Sequence, residues 1–467
     1  MRGSYNRKNG ILKIADENTI VHETHTFVWS YVGRLASLDS SAMIEQFKTD
    51  IVGDFSNNFI GPYILLVFDK LKKNLTITQH LFGGPTNLYF FQEDELLYFG
   101  TTLAVMKQLS KIPFRLNVAM LPHFLYNGFL PKSHTLIQAI YKLPAGSRLQ
   151  INHMGVYLYK MNLCEIYKSE SISDHIVDYH HTLKEAVRKS LPDLRDYCQP
   201  YSIALSSGYD SNFILYQIQK LSPNATLQVY SIGGVKGIDE TQTAAKIARL
   251  YPNTVFHKSL VSPTTFNHLD DIVKRLDGSV YERGIFLQYE LAKKLNEHNL
   301  NHLICGECAD QVFNVNTYAE TSDTFLFDYT NTPYEMATNV VLKKSTLMLK
   351  SFGIKGLYPY LDSNVLRLGY QIRHLNGVNK EFHKKQCEQL FSNQLIGLIA
   401  KQGGTTALES LFEEGFDVLS SAKKCKFYKA DFMITQKFDR EEAIRDYYVT
   451  LRYLESFERQ FCDNSFT

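Results

Sequence analysis

The stretch that decides the fold covers residues 203–212 and has the sequence IALSSGYDSN. Its apolar start predicts a buried strand, and the small residues that follow predict a tight turn into a helix. Gly208 permits the backbone bend, while the hydroxyls of Ser206, Ser207 and Ser211 can bind phosphate oxygens together with nearby N–H groups. A helix N-terminus adds partial positive charge at the same point. The stretch therefore predicts a phosphate-binding turn between a strand and a helix.

Asp210 stands inside this turn, where a bound phosphate would repel its carboxylate unless a cation lay between them. Mg²⁺ prefers carboxylate and phosphate oxygens as ligands, so Asp210 is a candidate magnesium ligand. The alternative interpretation is an ordinary serine-rich turn in which Asp210 caps the helix. The sequence contains no Gly-x-x-x-x-Gly-Lys-Ser/Thr motif, so P-loop ATPase or kinase chemistry is not indicated.

Outward from this turn, strand-like and helix-like segments alternate between residues 201 and 304. This alternation predicts an open, mostly parallel α/β sheet with a ligand site beyond the carboxyl ends of its strands. From about Tyr334 onward the pattern is mainly helical. The residues before 161 form short, aromatic-rich strand patterns bounded by turn signals, which predict a layered β-sheet domain. The pattern changes near residues 165–174, so we predict two domains, at 1–168 and 169–467.

The composition is that of a folded soluble protein and excludes disordered, collagen-like and mucin-like classes. The chain has 467 residues, 44% of them hydrophobic, and a formal net charge of +2, which disfavours a nucleic-acid partner. Its seven cysteines lack framework spacing, so we expect no disulfides and a cytoplasmic location. The longest apolar run, residues 59–68, is too short to span a bilayer, and no apolar run follows the charged start as in a secretory signal.

Four stretches, in this order along the chain, resemble motifs of the asparagine synthetase-like ATP pyrophosphatases. Residues 203–212 resemble the Ser-Gly-Gly-x-Asp-Ser pyrophosphate loop, with Ser207 where the first glycine is usual. Residues 231–233 (SIG) resemble the second nucleotide strand, whose backbone meets the adenine ring. Residues 305–313 (CGECADQVF) resemble the Ser-Gly-Glu-Gly-x-Asp-Glu-x-Phe loop, and residues 356–362 (GLYPYLD) resemble the Arg-x-Pro-Phe-Leu-Asp element that closes the synthetase site.

The resemblance implies an enzyme that uses ATP and Mg²⁺. In this family a substrate carboxylate becomes an acyl-adenylate with release of pyrophosphate, and an amine then attacks it while AMP leaves. Asp210 and Asp310, on separate loops, would bind Mg²⁺ on the phosphates. Glu307 would accept a proton from the amine, and Lys401 would stabilise the transition state and hold pyrophosphate. The implied nucleotide contacts are Leu205, Ser206, Ser207, Gly208, Asp210, Ser211, Ile232, Gly306 and Lys384.

Several of these assignments have a plainer alternative. Glu307 could pair with a surface cation, and Lys401 could be a solvated surface charge. Lys384 stands beside His383 and Lys385, and either of these neighbours could take its role.

Parts of residues 1–168 resemble the glutaminase domain of asparagine synthetases, which has an N-terminal nucleophile-hydrolase fold. That glutaminase uses a cysteine at the mature N-terminus, whereas this chain begins Met1-Arg2 and its first cysteine is Cys164. Its Asn-Gly-Glu element has no clear counterpart in residues 30–36, and Gln79-His80 replaces its Arg-Asp. We therefore expect a domain that folds but cannot release ammonia from glutamine. The resembling stretches are 53–55, 66–69, 82–85, 88–90, 127–128 and 143–146.

The same departure occurs in the β-lactam and carbapenam synthetases and in the lasso-peptide macrolactam cyclases, where the amine belongs to the substrate. The resemblance thus favours lactam or macrolactam formation in natural-product biosynthesis. The substrate would be a small molecule or peptide carrying both carboxylate and amine, and a partner biosynthetic protein could take part. Glu307 stands where the lactam synthetases have tyrosine, which favours the alternative of an ammonia-dependent or intermolecular amide ligase. A second alternative is a homologue that binds a nucleotide or peptide without turnover.

Overall fold

The computed structural model describes residues 1–14, 20–37, 41–49, 55–161, 178–192, 200–236, 239–313, 333–376, 380–399, 407–429 and 440–463. We call residues 1–161 the N-terminal half and residues 178–463 the C-terminal half. The predicted domain boundary at 168/169 lies outside the described residues. The two-domain division therefore stays a prediction.

Two antiparallel sheets form the N-terminal half. Its strands are β1 (Arg2–Asn6), β2 (Ile11–Ile14), β3 (Val21–Glu23), β4 (Phe27–Val32), β5 (Ile64–Asp69), β6 (Asn74–Gln79), β7 (Tyr89–Glu93), β8 (Leu96–Gly100), β9 (Tyr141–Lys142), β10 (Ser147–Ile151) and β11 (Val156–Lys160). The strand orders are β2-β1-β8-β7-β9 in one sheet and β11-β10-β6-β5-β4-β3 in the other. The helices are α1 (Ser41–Thr49), α2 (Leu103–Leu109) and α3 (Leu121–Asn127).

The two sheets pack face to face, and the central strand β5 is buried on both sides. Alternate residues of a strand point to opposite faces. Ile64 and Leu66 therefore lie in the core between the sheets, together with Phe99 of β8. Leu65 and Val67 lie in a second cluster that includes side chains of α1. The predicted layered β-sheet domain thus has a helix outside the second sheet.

A five-stranded parallel sheet lies at the centre of the C-terminal half. Its strands are β12 (Tyr201–Ala204), β13 (Leu227–Gly234), β14 (Thr254–Val261), β15 (His302–Ile304) and β16 (Lys355–Leu357). The order is β14-β13-β12-β15-β16. The chain adds β13 and β14 on one side of β12 and then crosses to the other side of β12 to add β15 and β16. Such a reversal leaves a crevice at the carboxyl ends of β12 and β15, which is where open α/β sheets bind ligands.

Helices cover this sheet and make up the rest of the C-terminal half, as the sequence predicts. They are α4 (Tyr179–Ser190), α5 (Tyr209–Leu221), α6 (Glu240–Ala248), α7 (Pro263–Phe266), α8 (Leu269–Arg275), α9 (Ile285–Glu297), α10 (Ala309–Val312), α11 (Pro333–Met336), α12 (Leu342–Ser351), α13 (Ser363–Asn376), α14 (Glu381–Glu388), α15 (Asn393–Leu398), α16 (Ala407–Ser410), α17 (Val418–Lys423) and α18 (Arg440–Phe461). A π-helical turn (Ala337–Val341) joins α11 to α12. Among the described residues, no helix is long and apolar enough to cross a membrane.

One continuous apolar core joins the two halves. Tyr453 of α18 stacks on Phe124 of α3, with ring centroids 5.6 Å apart. The Tyr334 hydroxyl of α11 donates a hydrogen bond of 2.5 Å to the Leu81 carbonyl oxygen in the N-terminal half. The N-terminal half therefore packs directly against the helices beside the nucleotide-type sheet.

Candidate active site

The predicted phosphate-binding turn lies at the carboxyl end of β12. β12 ends at Ala204 and α5 begins at Tyr209, with Gly208 as its N-cap residue. The Ser211 hydroxyl accepts a hydrogen bond of 3.1 Å from the Ser206 N–H and lies 3.0 Å from the Ser206 hydroxyl. These bonds fold the turn back onto the first turn of α5. Asp210 does not cap this helix, contrary to the alternative interpretation of the sequence.

Asn212 supports the turn from beneath, a role that the sequence analysis missed. Its side chain is fully buried, and Nδ2 donates to the carbonyl oxygens of Gly208 at 2.7 Å and Ser206 at 3.2 Å. Because both carbonyls are engaged on the helix side, their dipoles point away from the place where a phosphate would bind. The sequence feature that could have predicted this role is the amide residue directly after Asp210 and Ser211.

Gly306 allows the next loop to approach this turn closely. A Cβ atom at Gly306 would lie 3.1 Å from the Ser211 backbone nitrogen and 3.3 Å from the Asp210 carbonyl carbon. Because such contacts are tighter than normal packing permits, a side chain at 306 would push the two loops apart. The close approach brings Glu307 and Asp310 to the carboxyl end of β12.

Asp210 and Asp310 meet at the ammonium group of Lys380. Lys380 Nζ lies 2.6 Å from Asp210 Oδ2 and also donates to Asp310 Oδ1. Burial raises the pKa of Asp210, but the hydrogen bond from His383 and the charge of Lys380 outweigh it and hold that pKa at about 2. The structure therefore brings the two aspartates together, and their assignment as magnesium ligands stays a prediction. The cation between them is a lysine that the sequence analysis did not select.

His383 links this pair of carboxylates to the core. Its ring is fully buried, Nε2 lies 3.1 Å from Asp210 Oδ1, and Nδ1 is hydrogen-bonded to the Tyr179 hydroxyl. Burial, with the nearby Cys387 and Asp210, raises the pKa of Tyr179 well above its usual value, so the phenol keeps its proton. His383 therefore joins Tyr179 and Asp210 in one hydrogen-bonded chain.

The same imidazole also contacts the loop of the other aspartate. It stacks on Phe313, three residues after Asp310, at a centroid distance of 4.7 Å and an interplanar angle of 10°. The Tyr360 ring meets it edge-on, and the Tyr360 hydroxyl donates to the Asp210 carbonyl oxygen at 3.1 Å. His383 thus touches elements from four parts of the C-terminal half and fixes their positions relative to one another.

Glu307 lies beside α9 and is held by an amide. Gln288 Nε2 donates to Glu307 Oε1 at 3.1 Å. Gln288 Oε1 is buried and has no hydrogen-bond partner among the described residues. Among the described residues, Glu307 is held by a neutral amide and forms no ion pair with a surface cation.

The remaining predicted residues are placed as follows. The Leu205 N–H donates to the Tyr230 carbonyl oxygen at 2.8 Å, which extends the β12–β13 pairing to the turn. Ile232 lies in β13, and its side chain is half-buried. Lys384 is not brought to the aspartates: its Nζ lies 3.4 Å from Glu381 Oε2 on the surface of α14. Lys401 lies outside the described residues.

The carboxylates fit Mg²⁺ only if other ligands complete the coordination. Within the part of the chain that the structure describes, no group of three or more His, Cys, Asp or Glu side chains could hold a metal ion. Asp210 and Asp310 already share one cation, and Mg²⁺ commonly uses one or two carboxylates together with substrate phosphates. The donor set thus suits a magnesium ion that arrives with a nucleotide.

Comparisons with known proteins agree with this geometry. The asparagine synthase family model matches residues 178–344, and the glutamine amidotransferase domain model matches residues 39–161. The two matches together support an asparagine synthetase-like family for this chain. The asparagine synthase domain indicates an ATP-dependent ligase that forms C–N bonds.

Solved structures give more distant similarities. The tRNA thiolase NcsA from Methanococcus maripaludis is 17% identical, with a TM-score of 0.23, over 47% of this chain and 76% of that chain. Glutamine phosphoribosylpyrophosphate amidotransferase from B. subtilis is 10% identical, with a TM-score of 0.18, over 53% of this chain and 64% of that chain. An allosteric regulatory enzyme of purine biosynthesis is 9% identical, with a TM-score of 0.18, over 54% and 64%. No curated protein matches the chain.

Proposed function

We propose that the protein activates a substrate carboxylate with ATP and joins it to an amine of the same substrate, closing a lactam or macrolactam. One observation carries the ATP-dependent step. Asp210 and Asp310, from the loops after β12 and β15, meet at one ammonium group beside the turn of Ser206 and Ser211. A phosphate-binding turn between a strand and a helix, with two carboxylates beside it, is suited to a nucleoside triphosphate and a bound Mg²⁺ ion.

In the first step a carboxylate oxygen of the substrate attacks the α-phosphorus of ATP. The bond to the β-phosphate oxygen breaks, and the products are the acyl-adenylate and pyrophosphate. The turn at Ser206–Ser211 would hold phosphate oxygens, and Lys380 would balance the charge of the leaving pyrophosphate in place of the predicted Lys384. Lys401 is proposed to balance the same charge. Mg²⁺ bound by Asp210 and Asp310 would neutralise charge on the phosphates.

In the second step the amine nitrogen attacks the carbonyl carbon of the acyl-adenylate, and AMP leaves. The amine loses a proton, and Glu307 is the proposed acceptor. Gln288 Nε2 donates to Glu307 Oε1 at 3.1 Å, and the buried Cys305 thiol also hydrogen-bonds this carboxylate. Because the Gln288 bond fixes the carboxylate, the proton acceptor would be oriented before the substrate binds.

The N-terminal half supports the view that the amine does not come from glutamine. Gln79, in place of the family's arginine, uses Nε2 to bond the carbonyl oxygens of Leu143 and Pro144. His80 is fully buried, and burial lowers its pKa to about 3, so it carries no charge for a substrate. Arg34, in the segment that would hold the Asn-Gly-Glu element, instead donates to backbone carbonyls at the end of α4. These positions serve packing within and between the halves.

A second candidate is an ammonia-dependent or intermolecular ligase. Glu307 favours it, since a carboxylate at this position suits deprotonation of ammonia as well as of a tethered amine. The two candidates differ only in where the nitrogen is attached.

The experiment measures AMP and pyrophosphate release by purified protein with ATP and Mg²⁺, using Asp210→Asn as control. One reaction contains aspartate and ammonium, and another contains synthetic linear peptides with a free amino terminus and an internal Glu or Asp. We expect no AMP above the control in the first reaction. In the second we expect AMP together with a peptide lighter by one water. AMP and asparagine in the first reaction would refute the proposal in favour of the ammonia-dependent ligase, and ATP binding without AMP in any reaction would favour the non-catalytic homologue.

A further inference from the structure

Strand β11 lies at the edge of the second sheet of the N-terminal half, with β10 on its inner side. Three successive side chains of this strand are exposed, Tyr157 at 39%, Leu158 at 45% and Tyr159 at 42%. An open strand edge can pair with a further strand, and exposed apolar side chains that lie together often mark an interaction surface. The edge of β11 is therefore a candidate docking surface.

The pairing with β10 decides which backbone groups of β11 point outward. The Met161 N–H donates to the Gly146 carbonyl oxygen at 2.7 Å, and the Asn152 N–H donates to the Gly155 carbonyl oxygen at 3.0 Å. Hydrogen-bonded and non-hydrogen-bonded pairs alternate along an antiparallel ladder. The odd-numbered residues from 155 to 161 therefore direct their backbone groups to β10, and the even-numbered residues between them direct theirs to the open side.

Two of these even-numbered residues, Val156 and Leu158, present unpaired backbone groups at the open side. Among the described residues, no group forms a hydrogen bond with their outward N–H or C=O. A strand that docks here in antiparallel orientation must present N–H and C=O groups at the same spacing. It must also carry apolar side chains, because those of Tyr157, Leu158 and Tyr159 lie beside the edge.

The strand β11 itself meets these requirements. We propose that two copies of the chain pair through β11 in antiparallel orientation, about a two-fold axis at Tyr157. In this register Val156 of each copy lies opposite Leu158 of the other, and each such pair forms two backbone hydrogen bonds. The two Tyr157 residues lie opposite each other at a pair without backbone bonds, where side chains come closest. The sheet would then continue from one copy into the other.

Charge also favours a second copy as the occupant. Residues 154–159 (MGVYLY) carry no charge, so two copies can meet without like charges opposite each other. The Lys160 residues of the two copies would lie at opposite ends of the paired stretch, about 20 Å apart by the rise of an extended strand. Salt screens charges over about 8–10 Å, so these lysines would not oppose the pairing.

Aromatic packing adds to the same face. Tyr157 lies beside Tyr159, with ring centroids 6.5 Å apart, and the guanidinium of Arg148 lies 5.0 Å from the Tyr159 ring centroid. The two-fold pairing would bring the Tyr157 rings of both copies together in one row with these side chains. The proposal does not depend on the proposed reaction, because none of the predicted nucleotide-binding residues lies on β11.

The first test measures the mass of the full-length protein by sedimentation equilibrium from about 1 to 100 µM, where we expect a reversible dimer. Leu158→Pro removes an outward N–H but leaves the bonds to β10 in place, since an edge strand tolerates proline where the N–H faces solvent. Half of the proposed hydrogen bonds between the copies are then lost, so association should weaken by at least about tenfold. Leu158→Val keeps the N–H and an apolar side chain and should dimerise like the wild type.

Cysteine variants test the register. Tyr157→Cys places two thiols opposite each other across the axis, with Cα atoms about 4.5 Å apart, which a disulfide can span. Oxidation with copper phenanthroline and oxygen should therefore give a linked dimer on a non-reducing gel. Tyr159→Cys places the two thiols about 14 Å apart or more and should give no more linked dimer than the wild type, which has the native cysteines.

The outcomes separate this dimer from other occupants of the edge. A wild-type protein that stays monomeric at about 100 µM would overturn the proposal, as would a Leu158→Pro variant that dimerises as well as the wild type. Circular dichroism and cooperative urea unfolding show whether that variant is folded, and if it is not, the cysteine variants decide. Equal linking of both cysteine variants would refute the register. A monomeric wild type in which Leu158→Pro lowers AMP release from linear peptides would assign the edge to a substrate strand instead.

Discussion

Replacement of Lys380 by methionine should separate the two roles that the structure gives this lysine. In the absence of nucleotide, its ammonium group joins Asp210 and Asp310, and only 18% of its side chain is exposed. Methionine keeps much of the length and apolar character of the stem but removes the charge. The two carboxylates would then face each other without the lysine cation.

The size of the effect follows from the pKa of Asp210. Burial raises that pKa, and His383 and Lys380 together lower it from 3.8 to about 2. A shift of this size corresponds to about 2 kcal/mol of folding free energy. Because the folded pKa is depressed, this stability is present above the unfolded pKa and is lost as the pH falls towards 2. Lys380→Met should therefore lower the free energy of unfolding at neutral pH by about 1–2 kcal/mol, since His383 retains part of the effect.

The same variant should bind a divalent cation more tightly in the absence of ATP. Lys380 competes with the metal for both carboxylates, so its removal should raise Mn²⁺ affinity by about tenfold. Adenylation should nevertheless fall by about a hundredfold, because the charge opposite the pyrophosphate is gone. The assays are urea unfolding with and without Mg²⁺, Mn²⁺ binding by electron paramagnetic resonance, and AMP release.

Lys384→Met is the matched control. Among the described residues, the Lys384 side chain pairs with Glu381 on the surface of α14 and does not reach the aspartates. It should change none of the three quantities appreciably. If Lys380→Met left Mn²⁺ affinity unchanged, or if Lys384→Met reproduced its loss of adenylation, the assignment of Lys380 to the metal and pyrophosphate site would be wrong.

Three further changes test the surroundings of the site and the contact between the halves. Tyr179→Phe should destabilise the protein by about 1–3 kcal/mol in urea unfolding, because buried His383 Nδ1 loses its hydrogen-bond partner. It should also weaken Mn²⁺ binding if the imidazole positions Asp210. Asn212→Ala should weaken ATP binding in calorimetry by about tenfold, because the two carbonyls of the turn are released. Burial raises the pKa of Asp277 to about 7, although hydrogen bonds from the Leu103 N–H and Tyr89 and the charge of Lys343 lower it. The free energy of unfolding therefore falls as the pH rises from 3.8 to 7. Asp277→Asn should therefore be more stabilising near pH 8 than near pH 5 by about 2 kcal/mol in urea unfolding, and an equal effect at both values would contradict the assigned pKa.

The fold could be predicted from the sequence to the level of its sheets. Alternation of apolar strands with helical periods predicted the parallel sheet, because the central strands β12 and β15 are buried on both faces and read as short apolar runs. The strand order could not be predicted, since the reversal between β12 and β15 depends on which strands pair across a long crossover. The packing of the two halves against each other could not be predicted either. Phe124 and Tyr453 stack across this contact, but they are far apart in sequence and each resembles an ordinary core aromatic.

Asp210 was predicted from the phosphate-binding turn after β12, and Asp310 from the resemblance of residues 305–313 to a motif of the synthetase-like family. Position after a strand places Asp210 and Asp310 at one edge of the sheet whatever the details of packing. The groups that face them come from α14 and α4, and nothing in the sequence fixes how these helices dock. Tyr179, whose hydroxyl is hydrogen-bonded to the buried histidine, therefore could not be singled out from the sequence.

The choice between Lys380 and Lys384 depends on which face of α14 is buried. Both lysines belong to the same basic segment, and charge alone favours neither. His383 and Cys387 are fully buried, so they define the inward face of α14. Successive helical residues turn by about 100°, which puts Lys380 about 40° and Lys384 about 80° from the centre of that face. Lys380 can therefore extend its stem under the loop to reach both aspartates, while Lys384 projects outward to Glu381. A sequence reading that first located the buried face from the histidine and cysteine would have selected Lys380.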